Sequence, residues 1–395
     1  MPVELIPGVY WVGAIDWTLR DFHGYLTEAG STYNAYLILD EKITLIDTVK
    51  KELAPEMMAR VEELVDPEKI AYMVSNHVEM DHSGGLPETM ARIKPEKLFC
   101  SPAGKEGLSR HYKQAWPFEV VKTGSEVSTG KHTLTFLETP MLHWPDSMMT
   151  YMKEAQLLFS SDAFGAHLAS SERFDDQLPD YPTDYPHQLK KYYANILMPF
   201  GTLILQLFDK IAQLGLEFKM IAPDHGLIYR NPAWVLEAYR TWASAAVEPK
   251  ALVIYDTMWH STEMLAAAFT QGLMDAGVEA QLHHLRQTHY SDIVTEVLDA
   301  GLLLMGSPTL NNGIFPSMGQ FLTYLKGLKP RNQAAMAFGS YGWSGQAVGL
   351  ITKELEAMKL KVVHPGFSCK YIPDPADLAA ARALGEKLAR ENLKI

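Results

Sequence analysis

Hydrophobic and polar positions follow two different patterns along the chain, and the change between them falls near residue 248. Before it, short β patterns lie among helical ones: GVYWVGAI, TYNAYLILD, KITLIDTV, IAYMVS, KHTLTFLE, SMMTYMKE, AQLLFSS and FKMIAP. Helical patterns occupy APEMMARVEELV, LKKYYANILMPFGTLILQLFDKIAQL and NPAWVLEAYRTWASAAV. Sheet-rich segments with interspersed helices predict two sheets sandwiched by helices, an αββα arrangement.

After that point, strand and helix patterns alternate regularly. The strand patterns, each followed by a helical one, are ALVIYD, VEAQLHHL, GLLLMGS, QAAMAFGS and LKVVHP. Such βα repetition predicts a doubly wound parallel sheet, for which the flavodoxin-like strand order 2-1-3-4-5 is the natural choice. We therefore predict a two-domain protein, α/β and α+β, with domains at 1–248 and 249–395.

Composition and charge narrow the class of protein. The 395 residues are 47% hydrophobic and 21% charged, which is ordinary for a globular chain. A formal net charge of −12, without a concentrated basic run, disfavours nucleic-acid binding. The apolar runs have strand length and the N-terminus lacks a signal-peptide pattern, so we expect no membrane segment. Cys100 and Cys369 form no CxxC pair and are expected to be free thiols in a reducing cytoplasm.

Potential metal ligands gather at the ends of predicted strands. Four of them lie in SNHVEMDHSGG, straight after IAYMVS, and the others lie in LHWPDS, FSSDAFG and IAPDHGL. The seven candidates are His77, Glu79, Asp81, His82, His143, Asp162 and His225. Seven donors are too many for one tetrahedral ion and suit two metals that share one carboxylate, for which Asp162 is the candidate. Imidazoles and carboxylates without thiolate suit iron, manganese or zinc, and a bridged, carboxylate-rich site favours redox iron.

Each isolated ligand has an ordinary alternative. A lone histidine or aspartate in a turn is often a cap or a solvated side chain, and this applies to His143, Asp162 and His225. The four ligands of SNHVEMDHSGG are harder to explain in that way. The remaining histidines, among them His111, His132, His283 and His284, are expected to be structural or on the surface.

Three loops at the predicted carboxyl edge of the second sheet are rich in hydroxyl groups, glycine and aromatic rings. In such a sheet the cofactor phosphate lies against the first loop and the N-terminus of the first helix. Hydroxyl-rich turns also commonly just cap helices, but three of them at these strand ends predict a flavin mononucleotide (FMN) site. No GxGxxG follows the first strand, which disfavours a dinucleotide. The candidate residues are Thr257, Met258, Trp259, His260, Ser261 and Thr262, then Ser307, Pro308, Thr309, Leu310, Asn311 and Asn312, then Gly339, Ser340, Tyr341, Gly342, Trp343 and Ser344.

These motifs together resemble the flavodiiron proteins, also called A-type flavoproteins, over essentially the whole chain. The first part resembles a metallo-β-lactamase fold, whose usual zinc motif is HxHxDH. Here the motif is HxExDH, an exchange typical of the diiron branch of that fold. The second part resembles the family's flavodoxin module, down to the loop TMWHST. No rubredoxin or flavin-reductase segment is expected, so the resemblance is to the minimal, two-domain type.

The resemblance implies FMN and two iron ions as cofactors. It also implies reduction of dioxygen to water, of nitric oxide to nitrous oxide, or of both, with electrons passing through FMN to the iron pair. By the family pattern, one iron is expected on His77, Glu79 and His143, the other on Asp81, His82 and His225, with Asp162 between them. His23, in FHGYLTEAG, and Tyr192 or Tyr193, in KKYYANIL, are candidates to donate a proton or hydrogen bond to the gas. Either tyrosine could instead pack in the core.

The family also implies partners, while two other functions stay open. Its members form head-to-tail dimers, so we expect a homodimer or a dimer of dimers. We expect electrons to arrive from a separate carrier, such as rubredoxin or a rubredoxin reductase system. One rival function is a zinc-dependent hydrolase of the metallo-β-lactamase superfamily that carries a flavodoxin module. The other is a non-enzymatic electron carrier that uses only its FMN domain. Glu79 in place of a histidine argues against the hydrolase, and the complete ligand set argues against the carrier.

Overall fold

The computed structural model describes residues 1–178 and 185–394. The chain divides into two units, one made of Met1–Tyr193 and Thr202–Arg240, the other of Ala194–Gly201 and Thr241–Ile395. The domain boundary expected between residues 248 and 249 falls at the start of the first strand of the second unit's sheet, and it stays a prediction. No helix within the described ranges has both the length and the apolar character needed to cross a membrane.

The N-terminal unit is built from short strands and a few helices. Its strands are β1 (Val3–Ile6), β2 (Val9–Trp11), β3 (Ala14–Asp16), β4 (Asp21–Phe22), β5 (Tyr25–Leu26), β6 (Ser31–Tyr33), β7 (Tyr36–Ile38), β8 (Thr44–Ile46), β9 (Tyr72–Val74), β10 (Lys97–Cys100), β11 (Phe118–Val120), β12 (Glu126–Ser128), β13 (Thr133–Glu138), β14 (Met148–Met152), β15 (Leu157–Phe159) and β16 (Met220–Ala222). The α-helices up to residue 243 are α1 (Ala54–Leu64), α2 (Met80–Ser83), α3 (Leu86–Ile93), α4 (Pro102–Tyr112), α5 (Tyr185–Tyr192), α6 (Gly201–Gln213) and α7 (Ala233–Ala243). Shorter helical turns of the 3-10 type lie at Lys51–Leu53, Pro67–Lys69 and Asp175–Gln177. The π turn at Tyr193–Leu197 and the 3-10 turn at Met198–Phe200 fall almost wholly in the other unit.

Two sheets face each other in this unit. One has the order β1-β2-β7-β8-β9-β10-β11 and the other the order β12-β13-β14-β15-β16. Successive side chains of a strand point to opposite faces, and β7 follows this rule. Tyr36 and Ile38 join Phe136 of the second sheet in one buried cluster. Leu37, between them, joins Met57 of α1 in another. The first sheet is therefore covered by helices on one face and by the second sheet on the other.

The C-terminal unit alternates strands and helices as its sequence pattern predicts. Its elements are β17 (Glu248–Tyr255), α8 (Ser261–Asp275), β18 (Glu279–His284), α9 (Tyr290–Val297), β19 (Ala300–Gly306), β20 (Thr309–Leu310), β21 (Gly313–Ile314), α10 (Pro316–Leu328), β22 (Ala334–Tyr341), α11 (Gln346–Ala357), β23 (Lys361–Val362), β24 (Phe367–Lys370) and α12 (Pro375–Asn392).

The sheet of this unit is parallel in every recorded pairing and has the order β18-β17-β19-β22-β23, with β24 also on β22. This is the order 2-1-3-4-5, in which the fifth strand is divided into β23 and β24. All seven residues of β19 are buried, as expected for a strand covered on both faces. On one face, α8 and α12 contribute Phe269 and Leu388 to the core. The carboxyl ends of β17, β19 and β22 thus lie side by side and carry the three hydroxyl-rich loops.

Candidate metal centre and flavin cavity

The loop after β9 is held in place before its first ligand, His77. Asp47 accepts hydrogen bonds from the backbone N–H and the side-chain amide of Asn76, both 2.7 Å long. Glu79 then precedes the single turn of α2, which carries Asp81 and His82. The short spacing of the motif therefore turns several side chains toward one point without a long excursion of the chain.

The remaining ligands come from the second sheet. Strands β15 and β16 are parallel neighbours, so the residues that follow them, Asp162 and His225, emerge at the same edge. The backbone N–H of Asp224 donates to the carbonyl of Ser161 at 2.9 Å, which ties the two loops together. Gly226 has φ +79°, and a Cβ there would lie 2.7 Å from the carbonyl oxygen of Ala166, so this tight turn requires glycine. His143 comes from the loop between β13 and β14.

The structure brings all seven predicted ligands together, in two groups that meet at Asp162. In the first group, Asp162 Oδ2 lies 3.3 Å from Nε2 of both His77 and His143. Glu79 Oε2 lies 3.3 Å and 3.2 Å from the same two nitrogens. Four donor atoms therefore surround one point.

The second group uses the other oxygen of the same carboxylate. Asp162 Oδ1 lies 3.1 Å from His82 Nε2 and 3.3 Å from His225 Nε2. Asp81 Oδ2 lies 3.3 Å and 3.2 Å from these nitrogens. Donors about 2.1 Å from a shared ion are separated by about 2.9–3.4 Å at octahedral or tetrahedral angles. The observed separations fit one metal ion in each group, with Asp162 shared.

The burial of these atoms also fits a metal pair. Asp162 and His82 are almost fully buried. Both oxygens of Asp81 and of Asp162 and both ring nitrogens of His82 have no hydrogen-bond partner among the described residues. Buried polar groups without partners are costly, and a cation between the carboxylates and imidazoles would satisfy them.

The outer nitrogens of two of the imidazoles have partners that fix which nitrogen faces inward. Nδ1–H of His77 donates to Asp146 Oδ2 at 2.9 Å, and Nδ1–H of His225 donates to the carbonyl of Thr32 at 2.7 Å. Such partners orient a ligand and raise its basicity. Sequence reasoning did not single out Asp146, although it stands three residues after His143 in the segment LHWPDS.

The electrostatics of the cluster favour positively charged imidazoles beside ionised carboxylates. Burial lowers the pKa of His77, but hydrogen bonds to Asp146 and Glu79 outweigh it, so this pKa lies well above its usual range. Burial likewise opposes charge on His82, yet the negative charges of Asp81 and Asp162 raise its pKa to about 9. Burial raises the pKa of Asp162, but the charge of His82 and the close imidazole nitrogens of His143 and His225 hold it well below the usual range.

The three residues predicted to donate a proton or hydrogen bond to the gas lie at different places. His23 Nε2 is 2.8 Å from Glu79 Oε1, and the His23 side chain is 72% exposed. Tyr192 is buried, with its ring centroid 5.9 Å from that of His225. Tyr193 is buried against Tyr239, with the ring centroids 5.0 Å apart.

One buried histidine beside the cluster was not singled out from the sequence. His167 packs between Tyr192 and His225 at steep ring angles, with ring centroids 5.1 Å and 4.9 Å away. It shares a hydrogen bond of 2.8 Å with Ser31 Oγ. Nothing in its local sequence separates it from the histidines expected to be structural.

The second unit has a cavity of ≈ 780 Å³ at the carboxyl edge of its sheet. Twelve of the predicted cofactor residues line it: Met258, Trp259, Ser261, Pro308, Thr309, Asn311, Asn312, Ser340, Tyr341, Gly342, Trp343 and Ser344. The predicted residues that do not line it are Thr257, His260, Thr262, Ser307, Leu310 and Gly339. Tyr371 and Ile372, which follow β24, line it without having been predicted.

The chemistry of this cavity fits a flavin. Trp259 and Trp343 line the cavity and are each 87% exposed, and aromatic rings of this size suit a planar ligand. Ser261 opens α8, whose N-terminus favours a phosphate. The Thr257 hydroxyl is buried and has no hydrogen-bond partner among the described residues. Gly339 allows the chain to pack closely against the loop that begins at Ser307, because a Cβ there would meet the carbonyl oxygen of Ser307 at 2.0 Å.

Comparison with known proteins agrees with both halves of this description. Residues 32–226 match the model of the ODP family beta lactamase, and residues 253–385 match the flavodoxin model. The chain is 44% identical to a nitric oxide reductase of Moorella thermoacetica, covering 98% of each chain. It is 40% identical to a rubredoxin-oxygen oxidoreductase of Megalodesulfovibrio gigas, covering 98% of this chain and 97% of the relative.

A solved structure extends the likeness to three dimensions. The flavodiiron protein from Giardia intestinalis superimposes with a TM-score of 0.95 at 34% identity, covering 99% of this chain and 96% of that one. The chain therefore belongs to the flavodiiron protein family. The predicted fold class, a metallo-β-lactamase-like domain followed by a flavodoxin-like domain, is confirmed.

Proposed function

We propose that this protein reduces dioxygen to water, nitric oxide to nitrous oxide, or both, by passing electrons from FMN to a pair of iron ions. The observation that carries the proposal is the position of Asp162, whose two carboxylate oxygens face two separate groups of imidazole nitrogens. The names of the Moorella and Megalodesulfovibrio relatives support the choice of nitric oxide and dioxygen as substrates.

The proposed ligand assignment follows the two groups of donors. One iron is assigned to the first group, the other to the second, and Asp162 is shared; the ligands are His77, Glu79 and His143, and Asp81, His82 and His225. When bound, the two ferrous ions and reduced FMN would supply up to four electrons, which dioxygen reduction to water needs, and coupling of two nitric oxide molecules needs two.

The residues around the cluster have proposed roles of their own. His23 donates to Glu79 Oε1 and so leaves Oε2 facing His77 and His143. Because His23 is also largely exposed, it is placed to pass protons between solvent and the site. Tyr192 is the second proposed donor, supported by its burial beside His225. Tyr193 remains a candidate from the sequence, and its packing against Tyr239 equally suits a role in the core.

Assembly as a head-to-tail homodimer, or a dimer of dimers, is proposed from exposed apolar side chains at both candidate sites. Met80, between two ligands, is 58% exposed, and Trp259 and Trp343 border the flavin cavity. Large apolar side chains exposed beside a site are available to pack against a partner subunit. Sedimentation together with turnover at decreasing concentration tests the proposal, and full activity in a monomer would refute it.

The electron donor is proposed to be a separate carrier such as rubredoxin, or a rubredoxin reductase system, in the cytoplasm. The name of the Megalodesulfovibrio relative supports rubredoxin. Reduction of the bound flavin by rubredoxin in stopped flow is the direct check. A flavin that rubredoxin fails to reduce, while a chemical reductant succeeds, would rule this donor out.

Steady-state consumption of each gas by the fully reduced, metal-loaded protein tests the proposed activity. We expect turnover of at least one gas with the matching product. The control is an Asp162→Ala variant loaded in the same way, which should lose the shared ligand and nearly all turnover. A wild-type protein that contains two iron ions and FMN but consumes neither gas would refute the proposal.

A further inference from the structure

A buried carboxylate lies at the base of the loop assigned to the flavin phosphate. Asp256 follows β17 directly and is fully buried. Its Oδ1 accepts from the Thr257 backbone N–H at 2.6 Å, from Arg286 Nε at 2.9 Å and from His284 Nε2 at 3.2 Å. Its Oδ2 accepts from the Ser317 hydroxyl. This one side chain therefore joins the ends of β17 and β18 to the start of α10.

Asp256 carries a negative charge in this position. Burial raises its pKa, but hydrogen bonds from Ser317, Thr257 and His284 and the charge of Arg286 outweigh burial, so the pKa lies below its usual range. A carboxylate here faces the same loop that is to receive a phosphate of charge about −1.5 to −2. Among the described residues that line the cavity there is no charged side chain. The negative charge must therefore be balanced from outside the cavity.

Arg286 is placed to balance it. Besides its bond to Asp256, its guanidinium donates to the Thr257 carbonyl oxygen at 2.7 Å. The planar guanidinium thus holds Asp256 and Thr257 together at the start of the loop. Its side chain is 53% exposed and lies 5.6 Å from the Phe315 ring centroid. Arg286 does not line the cavity, so any effect on a ligand acts through Asp256 and Thr257.

We propose that Arg286 is a positioning residue for the phosphate of FMN, because it neutralises Asp256 and fixes the start of the loop 257–262. The inference rests on the proposed flavin function. Without Arg286, the charge of the Asp256 carboxylate is unbalanced at the base of the loop and repels the phosphate through protein, where charges interact much more strongly than in water. The ring of the flavin, which carries no such charge, is not repelled.

Removal of the phosphate from the ligand separates this role from general damage to the fold. Arg286→Ala should bind FMN about ten- to a hundredfold more weakly than the wild-type chain, a loss in keeping with one unbalanced charge. Riboflavin, which lacks the phosphate, should bind both proteins with nearly equal affinity. The double variant Asp256→Asn/Arg286→Ala removes both charges and should recover most of the lost FMN affinity.

A matched control lies at the other end of α8. Arg382 is 54% exposed and donates through Nε to Asp275 Oδ2 at 2.5 Å, much as Arg286 does to Asp256. Arg382→Ala removes a similar surface arginine from the same unit without touching the loop. This variant should bind FMN and riboflavin like the wild-type chain.

The experiment is a titration of the full-length apoprotein with FMN and, separately, with riboflavin, followed by flavin fluorescence. A selective loss of FMN in Arg286→Ala, reversed in the double variant, is the expected result. Equal loss of both flavins, no loss of either, or a double variant as weak as the single one would overturn the inference while the proposed function stands. A wild-type chain that binds neither flavin would refute the proposed function and the inference with it.

Discussion

The carboxylate behind His77 offers a test of how the protein sets metal affinity at one of its two positions. Asp146 Oδ2 accepts from His77 Nδ1 at 2.9 Å and from the Val78 backbone N–H at 2.8 Å. The Ser101 hydroxyl donates to the Asp146 carbonyl oxygen at 2.7 Å, which fixes the backbone there. The substitution Asp146→Asn keeps an acceptor oxygen and the shape of the side chain but removes its charge.

The size of the effect follows from the bond to His77, because the Val78 bond is the same with and without the metal. A hydrogen bond to a charged group is stronger than a neutral one by about 1 kcal/mol, or about fivefold in affinity. The lost orientation and basicity of His77 add to this, so we expect the loss of about ten- to hundredfold that is typical for such outer partners. The loss should fall on the position that includes His77 and spare the one that includes His82.

The assay is an anaerobic competition titration of ferrous iron against a chelator of known affinity, fitted to two sites. Asp224→Asn is the matched control. Asp224 Oδ2 lies 3.5 Å from His82 Nδ1, too far for a good hydrogen bond. Burial and the charge of Asp47 raise the pKa of Asp224 well above its usual range, so the change to asparagine should disturb less charge here than it does at Asp146. The control should change affinity less than about threefold; equal losses in both variants would refute the reasoning.

Three further predictions concern pH, packing and turnover. Because the pKa of His82 is raised to about 9 while a metal binds only the neutral imidazole, metal binding at pH 7 should release protons and tighten as pH rises toward 9. Calorimetry in two buffers checks this, and proton uptake would contradict it. Gly272→Ala places a Cβ 1.9 Å from the Arg382 carbonyl oxygen and should destabilise by about 1–3 kcal/mol. Gly349→Ala, whose Cβ meets no atom within 4 Å, should stabilise by about 0.5–1 kcal/mol. Equal midpoints of denaturant unfolding for the two variants would refute the close packing at Gly272. The double variant His23→Ala/Tyr192→Phe should turn over at least tenfold more slowly at full iron and FMN content, and unchanged turnover and products with both gases would remove both roles.

The fold was predictable where one pattern ran long enough to identify an element. The unbroken apolar run of β19, seven residues long, identifies a strand that is buried on both faces. Between residues 84 and 130 no element was predicted, although α3, α4, β10, β11 and β12 all lie there. The pattern of β10, with only four residues, is too short to distinguish a strand from a buried turn. The division of the fifth strand was also not predicted. Gly366, with φ +118°, interrupts the strand between β23 and β24.

The candidate site shows the same limit. The grouping of the seven candidate metal ligands was predictable because their side chains are grouped in the sequence or follow strands that end at one edge. The role of Asp146 depends on its orientation toward His77 across the fold, which its neighbours in the sequence do not specify. Tyr371 was not predicted as part of the flavin cavity because it follows β24, the half of the fifth strand that the pattern did not reveal.

Anomalous X-ray diffraction at the iron edge from crystals of the holoprotein tests the central claim most directly. The account predicts two iron peaks in each chain, about 3.5–4 Å apart, each within bonding distance of a different oxygen of Asp162, with Glu79 on one and Asp81 on the other. A single iron peak, or two peaks with Asp162 and Glu79 turned away from the metal, would contradict it.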